Sequence, residues 1–193
     1  MKVLGVTGGV GSGKSAVLSY LEEQYDAYVC QLDEVAKALQ QKGETCYNRI
    51  VENFGTGILD EGGQLDRQKL GEIVFGDEKK LKILNEIVHP AVKEWVRNDK
   101  EEKEKQGVPL YVIEAALLPE AGYEDICPDM WFIYTREEVR RQRLEASRGY
   151  SQEKITNMIA SQSSEEVFRR VCRVVIDNSG DFEDTKRQIG EQL

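Results

Sequence analysis

Long apolar runs are missing from this 193-residue chain, which limits where it can reside. Its most apolar stretches, such as YVIEAALL, fall well short of the roughly 18 residues that a membrane-spanning helix needs. The amino-terminal segment MKVLGVTGG soon reaches glycines and has no cleavage-type site, which argues against a signal peptide. We therefore expect a cytoplasmic protein that does not associate with a membrane.

Cysteine and histidine are scarce, and their spacing excludes the common metal and disulfide sites. The four cysteines form no C-x-x-C pair, and one histidine cannot complete a zinc site of the usual kind. We expect buried or partly buried thiols in a reducing compartment. The cysteines are Cys30, Cys46, Cys127 and Cys172.

Positive charge is also in short supply and is unevenly distributed. The 26 lysines and arginines are outnumbered by 35 acidic residues, which gives a net charge of −9. Such a balance argues against a nucleic-acid partner that binds by phosphate neutralisation. Eight of the twelve arginines nevertheless fall between Arg136 and Arg173. This concentration indicates a segment that holds an anion.

The distribution of apolar residues predicts strands that alternate with helices. Short apolar runs predict strands at 2–7, 27–31, 109–114, 130–135 and 173–177. Helical periodicity begins at Lys14 and near Asp33, and it returns at 136–147, 151–161, 164–170 and from about Phe182. The alternation predicts an α/β fold with a doubly wound, mainly parallel sheet of about five strands.

The long helical segment 33–106 cannot all be a crossover between strands, so part of it should form a helical sub-domain beside the sheet. We expect one domain over residues 1–193, with its core in 1–31, 107–135 and 172–193. Within the helical segment, the four glycines of Phe54–Gln64 predict a loop. His89, which precedes Pro90, predicts a structural break or a capping group between two helices.

Residues 8–15, GGVGSGKS, match the phosphate-binding pattern G-x-x-x-x-G-K-[ST] between a predicted strand and a predicted helix. The glycines let the backbone curl so that successive N–H groups face phosphate oxygens. Lys14 can reach the β- and γ-phosphates, and the Ser15 hydroxyl can bind Mg²⁺. The motif therefore predicts ATP with Mg²⁺. The expected contacts are Gly9, Val10, Gly11, Ser12, Gly13, Lys14, Ser15 and Ala16.

The remaining sequence favours a small-molecule kinase among nucleotide-binding proteins. The N-K-x-D segment with which switch GTPases recognise guanine is missing, and the chain is short for a motor or transporter ATPase. In a small kinase, late arginines close over the phosphates as a lid. Arg136, Arg140 and Arg143 share one helical face, and we expect at least one of them to contact phosphate.

Two carboxylates are candidates for the chemistry. Asp33 follows the second predicted strand, at the edge where ligands bind to a doubly wound sheet, and can orient or deprotonate an acceptor hydroxyl. Its position fits helix capping equally well. Glu114 ends the strand 109–114, where it can hold a Mg²⁺-bound water or simply face solvent.

The ordered set of motifs resembles the dephospho-coenzyme A kinase family over nearly the whole chain. The motifs are TGGVGSGKS (7–15), LDEVAK (32–37), GGQLDRQKLGEIVFGD (62–77), LNEIVHP (84–90), ALLPE (116–120), RLEASRGYS (143–151) and VIDNSG (175–180). The resemblance implies transfer of the ATP γ-phosphoryl group to the ribose 3′-hydroxyl of dephospho-coenzyme A. That reaction is the last step of coenzyme A synthesis.

The resemblance also implies roles for individual residues and regions. It implies that 33–106 binds the acceptor and that 136–170 forms the lid. The implied catalytic residues are Asp33 and Lys14. The implied acceptor contacts are Asp33, Lys37 and Leu117. The implied lid and phosphate contacts are Arg140, Arg143 and Arg148, and the implied metal contacts are Ser15 and, through water, Glu114.

The chain departs from the family pattern, which leaves alternatives open. Gln31 stands where a second acid is common, and Ala116 and Ser147–Arg148 replace other frequent residues. Lys37 stands where the family commonly has arginine, and Glu114 where it often has aspartate. The alternatives are a divergent P-loop kinase with another small nucleoside, nucleotide or metabolite acceptor, and a nucleotide-dependent regulatory binding protein. We expect small-molecule substrates and a monomer or weak homo-oligomer.

Overall fold

The computed structural model describes residues 1–116, 122–123 and 125–193, which form two compact units. One unit comprises residues 1–30 and 102–193, and the other comprises residues 31–101. The first unit carries the sheet and the phosphate-binding motif, and the second is mainly helical. Leu117, a predicted acceptor contact, lies outside the described residues.

A five-stranded parallel sheet organises the first unit. Its strands are β1 (Lys2–Thr7), β2 (Ala27–Gln31), β3 (Leu110–Glu114), β4 (Met130–Tyr134) and β5 (Val174–Asp177). They lie in the order β2-β3-β1-β4-β5. The motif strand β1 is therefore central, with Val6 opposite Glu114 of β3 and opposite Trp131 of β4. Each strand lies within one residue of its predicted limits, and the predicted fold class is confirmed.

Helices connect these strands. In the second unit, helices follow one another along the chain with no strand of the sheet between them. The described residues form α1 (Lys14–Tyr25), α2 (Leu32–Leu39), α3 (Thr45–Phe54), α4 (Arg67–Val74), α5 (Glu78–Lys105), α6 (Glu137–Arg148), α7 (Gln152–Ala160), α8 (Glu165–Val171) and α9 (Phe182–Gly190). A short 3₁₀ turn, Thr56–Ile58, lies in the predicted glycine-rich loop. None of the helices in these described segments combines the length and apolar character that crossing a bilayer requires.

Both faces of the sheet are covered, as β4 illustrates. Trp131 packs in the apolar core that contains Leu21 of α1 and Ile189 of α9. The next residue, Phe132, stacks on Phe168 of α8 with ring centroids 4.8 Å apart. Since successive strand residues point to opposite faces, α1 and α9 cover one face and α8 covers the other.

The prediction of a break at His89–Pro90 is wrong, because α5 continues through Pro90. Proline costs a helix one backbone hydrogen bond and crowds the preceding turn. Here the buried residues Val88, Val92 and Val96 recur every four positions across the proline, so one apolar stripe continues on both sides of it. Packing of this stripe overrides the local preference of proline. His89 itself is exposed.

The four cysteines are buried thiols, as predicted. Burial raises the pKa of Cys172 from its ordinary value of 9.0 to about 11, and burial also raises the pKa of Cys46. A raised folded-state pKa means that the unfolded thiol ionises first. The resulting contribution of Cys172 to stability is complete below about pH 9 and is lost as the pH rises through about 11.

This pKa shift predicts slow alkylation of Cys172 in the folded protein. At pH 8 its thiolate fraction should be about 100-fold lower than in the unfolded chain, because the thiolate is the reactive form and the pKa is higher by about two units. Mass spectrometry after timed iodoacetamide treatment, with and without guanidinium chloride, measures the difference. Equal labelling rates in both conditions would contradict the prediction.

Candidate nucleotide-binding site

The phosphate-binding motif lies between the end of β1 at Thr7 and the start of α1 at Lys14. Gly13 is the N-cap residue of α1 and has a left-handed backbone with φ 82°. A Cβ at Gly13 would lie 2.3 Å from Asn178 Nδ2. Glycine is therefore required here by backbone conformation and by space. The helix beginning at Lys14 directs its first N–H groups toward the loop, which favours an anion there.

Replacement of Gly13 by alanine should therefore disrupt the loop. We expect the affinity for ATP to fall at least about tenfold, because the added methyl group displaces Asn178 and strains the backbone. Gly107→Ala is the matched control, since Gly107 has φ 80° and no atom near its added Cβ. Calorimetric titration with ATP should show a loss only for Gly13→Ala. Wild-type affinity in that variant would contradict the assigned loop geometry.

Gly9 lies against the side chain of Arg140. A Cβ at Gly9 would come within 2.4 Å of Arg140 Nη2. The guanidinium donates from Nε to the Val10 carbonyl oxygen at 2.8 Å and from Nη2 to Gln162 Oε1 at 3.0 Å. The Val10 N–H donates to the same Gln162 oxygen at 2.9 Å. Two side chains from the arginine-rich part of the chain thus hold both polar groups of the Val10 backbone.

The arginines predicted for the lid differ in their surroundings. Arg143 donates to the carbonyl oxygens of Ser12 at 3.4 Å and Asn178 at 2.9 Å. Arg140 and Arg143 therefore both contact the phosphate-binding loop. Burial lowers the pKa of Arg140, but an arginine remains charged at neutral pH. Arg148 is exposed at the end of α6, where its hydrogen bond helps to lower the pKa of Tyr150.

Lys14 is held by groups at the carboxyl ends of β1 and β3. Its ammonium donates to the Gly8 carbonyl oxygen at 2.7 Å and lies 3.8 Å from Glu114 Oε1. Both side chains are only 15% exposed. The register of β1 with β3 places Glu114 beside Val6, one strand away from the loop. This ion pair brings Glu114 to the lysine of the motif, and its role in holding a Mg²⁺-bound water stays a prediction.

A cavity of about 370 Å³ lies beside the loop. Its lining includes Gly9, Ser12, Thr135, Arg140 and Gln162. Ser12 is buried, and its hydroxyl oxygen is the buried side-chain polar atom in the described part of the chain that has no hydrogen-bond partner.

The second unit contains Asp33 and Lys37. Asp33 is exposed in the first turn of α2, whereas the N-cap residue of this helix is Gln31. The alternative in which Asp33 caps the helix is therefore wrong. Lys37 is also exposed and forms an ion pair with Glu34, one turn before it on α2.

Sequence analysis missed three residues that support the loop. They are Thr135, Gln162 and Asn178. Thr135 follows the last residue of β4, and Asn178 follows the last residue of β5. A polar residue at the carboxyl end of a parallel strand was the available signal, since that edge faces the ligand. Gln162, between α7 and α8, had no comparable signal.

Comparison with known proteins shows the family. The family model described as dephospho-CoA kinase matches residues 2–184. The chain belongs to the dephospho-CoA kinase family. A dephospho-CoA kinase from Carboxydothermus hydrogenoformans is 38% identical over 189 residues, which cover 98% of this chain and 91% of that protein. The resemblance inferred from the motifs is confirmed.

Two solved structures share the fold of this chain. A crystal structure of a Thermus thermophilus protein matches 100% of this chain and 96% of its own, with a TM-score of 0.81 and 31% identity. The dephospho-CoA kinase from Campylobacter jejuni shares the fold, with a TM-score of 0.71 and 24% identity over 100% of this chain and 96% of its own.

The donor set of this family member fits a magnesium ion held mainly by nucleotide phosphates. The described residues contain no cluster of three or more histidine, cysteine, aspartate or glutamate side chains able to hold a metal ion by themselves. The Ser15 hydroxyl is exposed at the start of α1, and Glu114 supplies a carboxylate at the end of β3. Mg²⁺ prefers such oxygen ligands, keeps several waters and usually binds with substrate phosphates.

Proposed function

We propose that this protein transfers the γ-phosphoryl group of ATP to the ribose 3′-hydroxyl of dephospho-coenzyme A, which yields coenzyme A and ADP. The observation that carries the proposal is the phosphate loop, with Lys14 held between the Gly8 carbonyl and Glu114, in a chain that belongs to the dephospho-CoA kinase family. Catalysis of phosphoryl transfer depends mainly on positioning and charge stabilisation, and this loop supplies both.

The loop backbone binds the triphosphate. Residues 9–16 contact the phosphate oxygens mainly through backbone N–H groups, apart from the Val10 N–H, which donates to Gln162, and the Ser12 N–H, which donates to the Gly9 carbonyl. Lys14 leaves Gly8 to contact the β- and γ-phosphates. Arg140 and Arg143 contribute two further positive charges to the transferred group, a role supported by their bonds to the loop carbonyls. Arg148 acts as the third lid arginine. These cations stabilise the charge that spreads over the phosphoryl oxygens in the transition state.

The acceptor is bound by the helical residues 33–106, with contacts from Lys37 and Leu117. Asp33 orients the 3′-hydroxyl and accepts its proton as the bond to phosphorus forms. Its exposure in the first turn of α2 leaves the carboxylate accessible to a substrate.

Mg²⁺ would be held by Ser15 and, through water, by Glu114. When bound, it would neutralise phosphate charge and fix the triphosphate for in-line transfer. Ser15 fits this role because its hydroxyl lies next to Lys14 in the motif, and Glu114 fits because it lies 3.8 Å from the Lys14 ammonium.

A direct assay tests the proposed reaction. The protein is incubated with ATP, MgCl₂ and dephospho-coenzyme A, and the products are analysed by mass spectrometry. We expect a mass gain of one phosphoryl group on the pantetheine-bearing product, together with ADP. A parallel panel of nucleosides, nucleotides and shikimate-type acceptors provides the comparison. Preferential phosphorylation of another acceptor, or ATP hydrolysis that no acceptor changes, would refute the proposal.

Two further properties belong to the proposal. The enzyme acts in the cytoplasm, where its substrates ATP and dephospho-coenzyme A are available. It is a monomer or a weak homo-oligomer, since the described fold contains a complete phosphate loop with its own lysine. Analytical ultracentrifugation at micromolar concentration tests the oligomeric state, and a stable dimer or larger species would contradict it.

A further inference from the structure

The carbonyl oxygen of Ser12 is the most heavily bonded backbone group of the phosphate loop. It accepts hydrogen bonds from Thr135 Oγ1 at 2.9 Å and from Asn178 Nδ2 at 2.8 Å. Arg143 Nη1 approaches the same oxygen at 3.4 Å. Three side chains therefore hold one peptide group of the loop. Thr135 follows β4, Arg143 lies on α6, and Asn178 follows β5.

Asn178 is itself fixed on every side. The residue is 3% exposed, and its backbone N–H donates to the Tyr134 carbonyl at 2.8 Å. Its carbonyl oxygen accepts from Arg143 Nη2 at 2.9 Å. Its side-chain Oδ1 accepts from the hydroxyl of Thr185 at 2.9 Å, and Thr185 on α9 is completely buried. The side chain therefore has little freedom to move.

These bonds also determine which way the Asn178 amide faces. The Ser12 carbonyl oxygen can only accept a hydrogen bond, so Nδ2 must face it. Oδ1 then faces Thr185, whose hydroxyl donates to it. The reversed amide would place two oxygens against each other at 2.8 Å, which is unfavourable in a buried site. Thr185 satisfies the amide oxygen in this orientation and thereby stabilises an amide that touches the loop.

The Ser12 carbonyl and the Gly13 N–H belong to the same peptide group. In a trans peptide these two groups point in opposite directions. When Asn178 holds the Ser12 carbonyl, the Gly13 N–H is directed away from Asn178, toward the opposite side of the loop. Gly13 is also one of the residues expected to bind phosphate. The orientation of one phosphate-binding donor is therefore governed by a side chain beyond β5.

We propose that Asn178 is a positioning residue for phosphoryl transfer, whose amide fixes the Ser12–Gly13 peptide so that its N–H faces the nucleotide phosphates, and that the Thr185 hydroxyl stabilises this amide by donating to its oxygen. The inference rests on the proposed function, because it assumes that the loop binds ATP. Asn178 acts through the loop backbone rather than by contact with the acceptor. Its loss should therefore change nucleotide affinity and leave the KM for the acceptor unchanged.

The first test replaces Asn178 by aspartate. This change keeps the side-chain size but places a carboxylate oxygen against the Ser12 carbonyl. We expect the dissociation constant for ATP with Mg²⁺, measured by calorimetry, to rise at least about tenfold. Asn98→Asp, at an exposed position, controls for the added negative charge. An unchanged dissociation constant in folded Asn178→Asp would overturn the proposal.

A second pair of variants keeps the inference falsifiable if Asn178→Asp does not fold. Thr185→Val retains the shape of the side chain but removes the hydroxyl, whereas Thr185→Ser retains the hydroxyl. We expect Thr185→Val to weaken ATP binding about threefold to tenfold, and Thr185→Ser to bind within about twofold of wild type. Equal ATP affinity in the two variants, even with different melting temperatures, would show a structural role only and overturn the proposal.

These experiments separate the inference from the proposed reaction. A wild-type protein that binds ATP but does not phosphorylate dephospho-coenzyme A would refute the reaction, while the affinity series still tests Asn178. An active wild type whose Asn178→Asp and Thr185→Val variants keep full ATP affinity would refute the positioning role alone.

Discussion

Lys14→Met is expected to lower kcat/KM for ATP by about 10²–10³-fold, the usual loss when one preorganised charge-stabilising donor is removed. Methionine has a similar length but no charge. The effect should appear in both kcat and KM, because the ammonium contacts phosphate before and during transfer. Steady-state kinetics at varied ATP measures it. Lys2→Met, at an exposed position in the same unit and outside the proposed acceptor region, is the control.

The loss of kcat/KM in Lys14→Met could also come from destabilisation of the fold, and a substitution at Glu114 tests this explanation. Removing the ammonium leaves a largely buried carboxylate without this partner, which itself destabilises the fold. The double variant Lys14→Met, Glu114→Gln relieves that charge. We expect it to recover part of the melting temperature without recovering activity. Kinetics within about threefold of wild type in the single variant would contradict the role of Lys14 in phosphate binding.

Asp33→Asn should reduce kcat by at least about 100-fold and leave the ATP dissociation constant within about twofold of wild type. Asparagine preserves the size of the side chain but cannot accept the proton of the acceptor hydroxyl. A carboxylate in the first turn of α2 also stabilises the helix through its interaction with the helix dipole, but this contribution to stability is only about 0.3–1 kcal/mol. Loss of the dipole interaction therefore cannot account for the expected fall.

The control for Asp33→Asn is Glu23→Gln, which removes the same charge from an exposed position outside the proposed acceptor region. Single-turnover measurements with saturating ATP separate phosphoryl transfer from product release. If turnover of Asp33→Asn equals that of wild type, Asp33 only stabilises α2 and takes no part in catalysis. The catalytic group of the proposed function must then be another residue.

Local sequence patterns predicted the sheet well because buried parallel strands are nearly continuous apolar runs. The segments KVLGVT and LYVIE have this character, and they form β1 and β3 respectively. Pro90 shows where local rules fail. The pattern around it indicates a break, but an apolar stripe carries α5 across the proline. Long-range packing decided the outcome, and no local window contains that information.

The phosphate loop could be predicted from its motif, since glycines, lysine and serine at this spacing have one main use. The partners of the loop could not be predicted equally well. Helical spacing placed Arg140 and Arg143 on one face, but their contacts with the Val10 and Ser12 carbonyls depend on how α6 lies over the loop. The role of Asn178 depends on the return of β5 beside β4, which only the fold shows.

The order of strands has a consequence for how the protein acquires its activity during synthesis. The loop is made early, yet β1 pairs only with strands that begin at Leu110 and Met130, and Asn178 comes later still. Contacts this distant along the chain form slowly. A growing chain on the ribosome therefore lacks a fully supported phosphate loop until Asn178 has emerged. ATP in the cell then favours the finished fold by mass action, so the substrate also serves as a late folding aid.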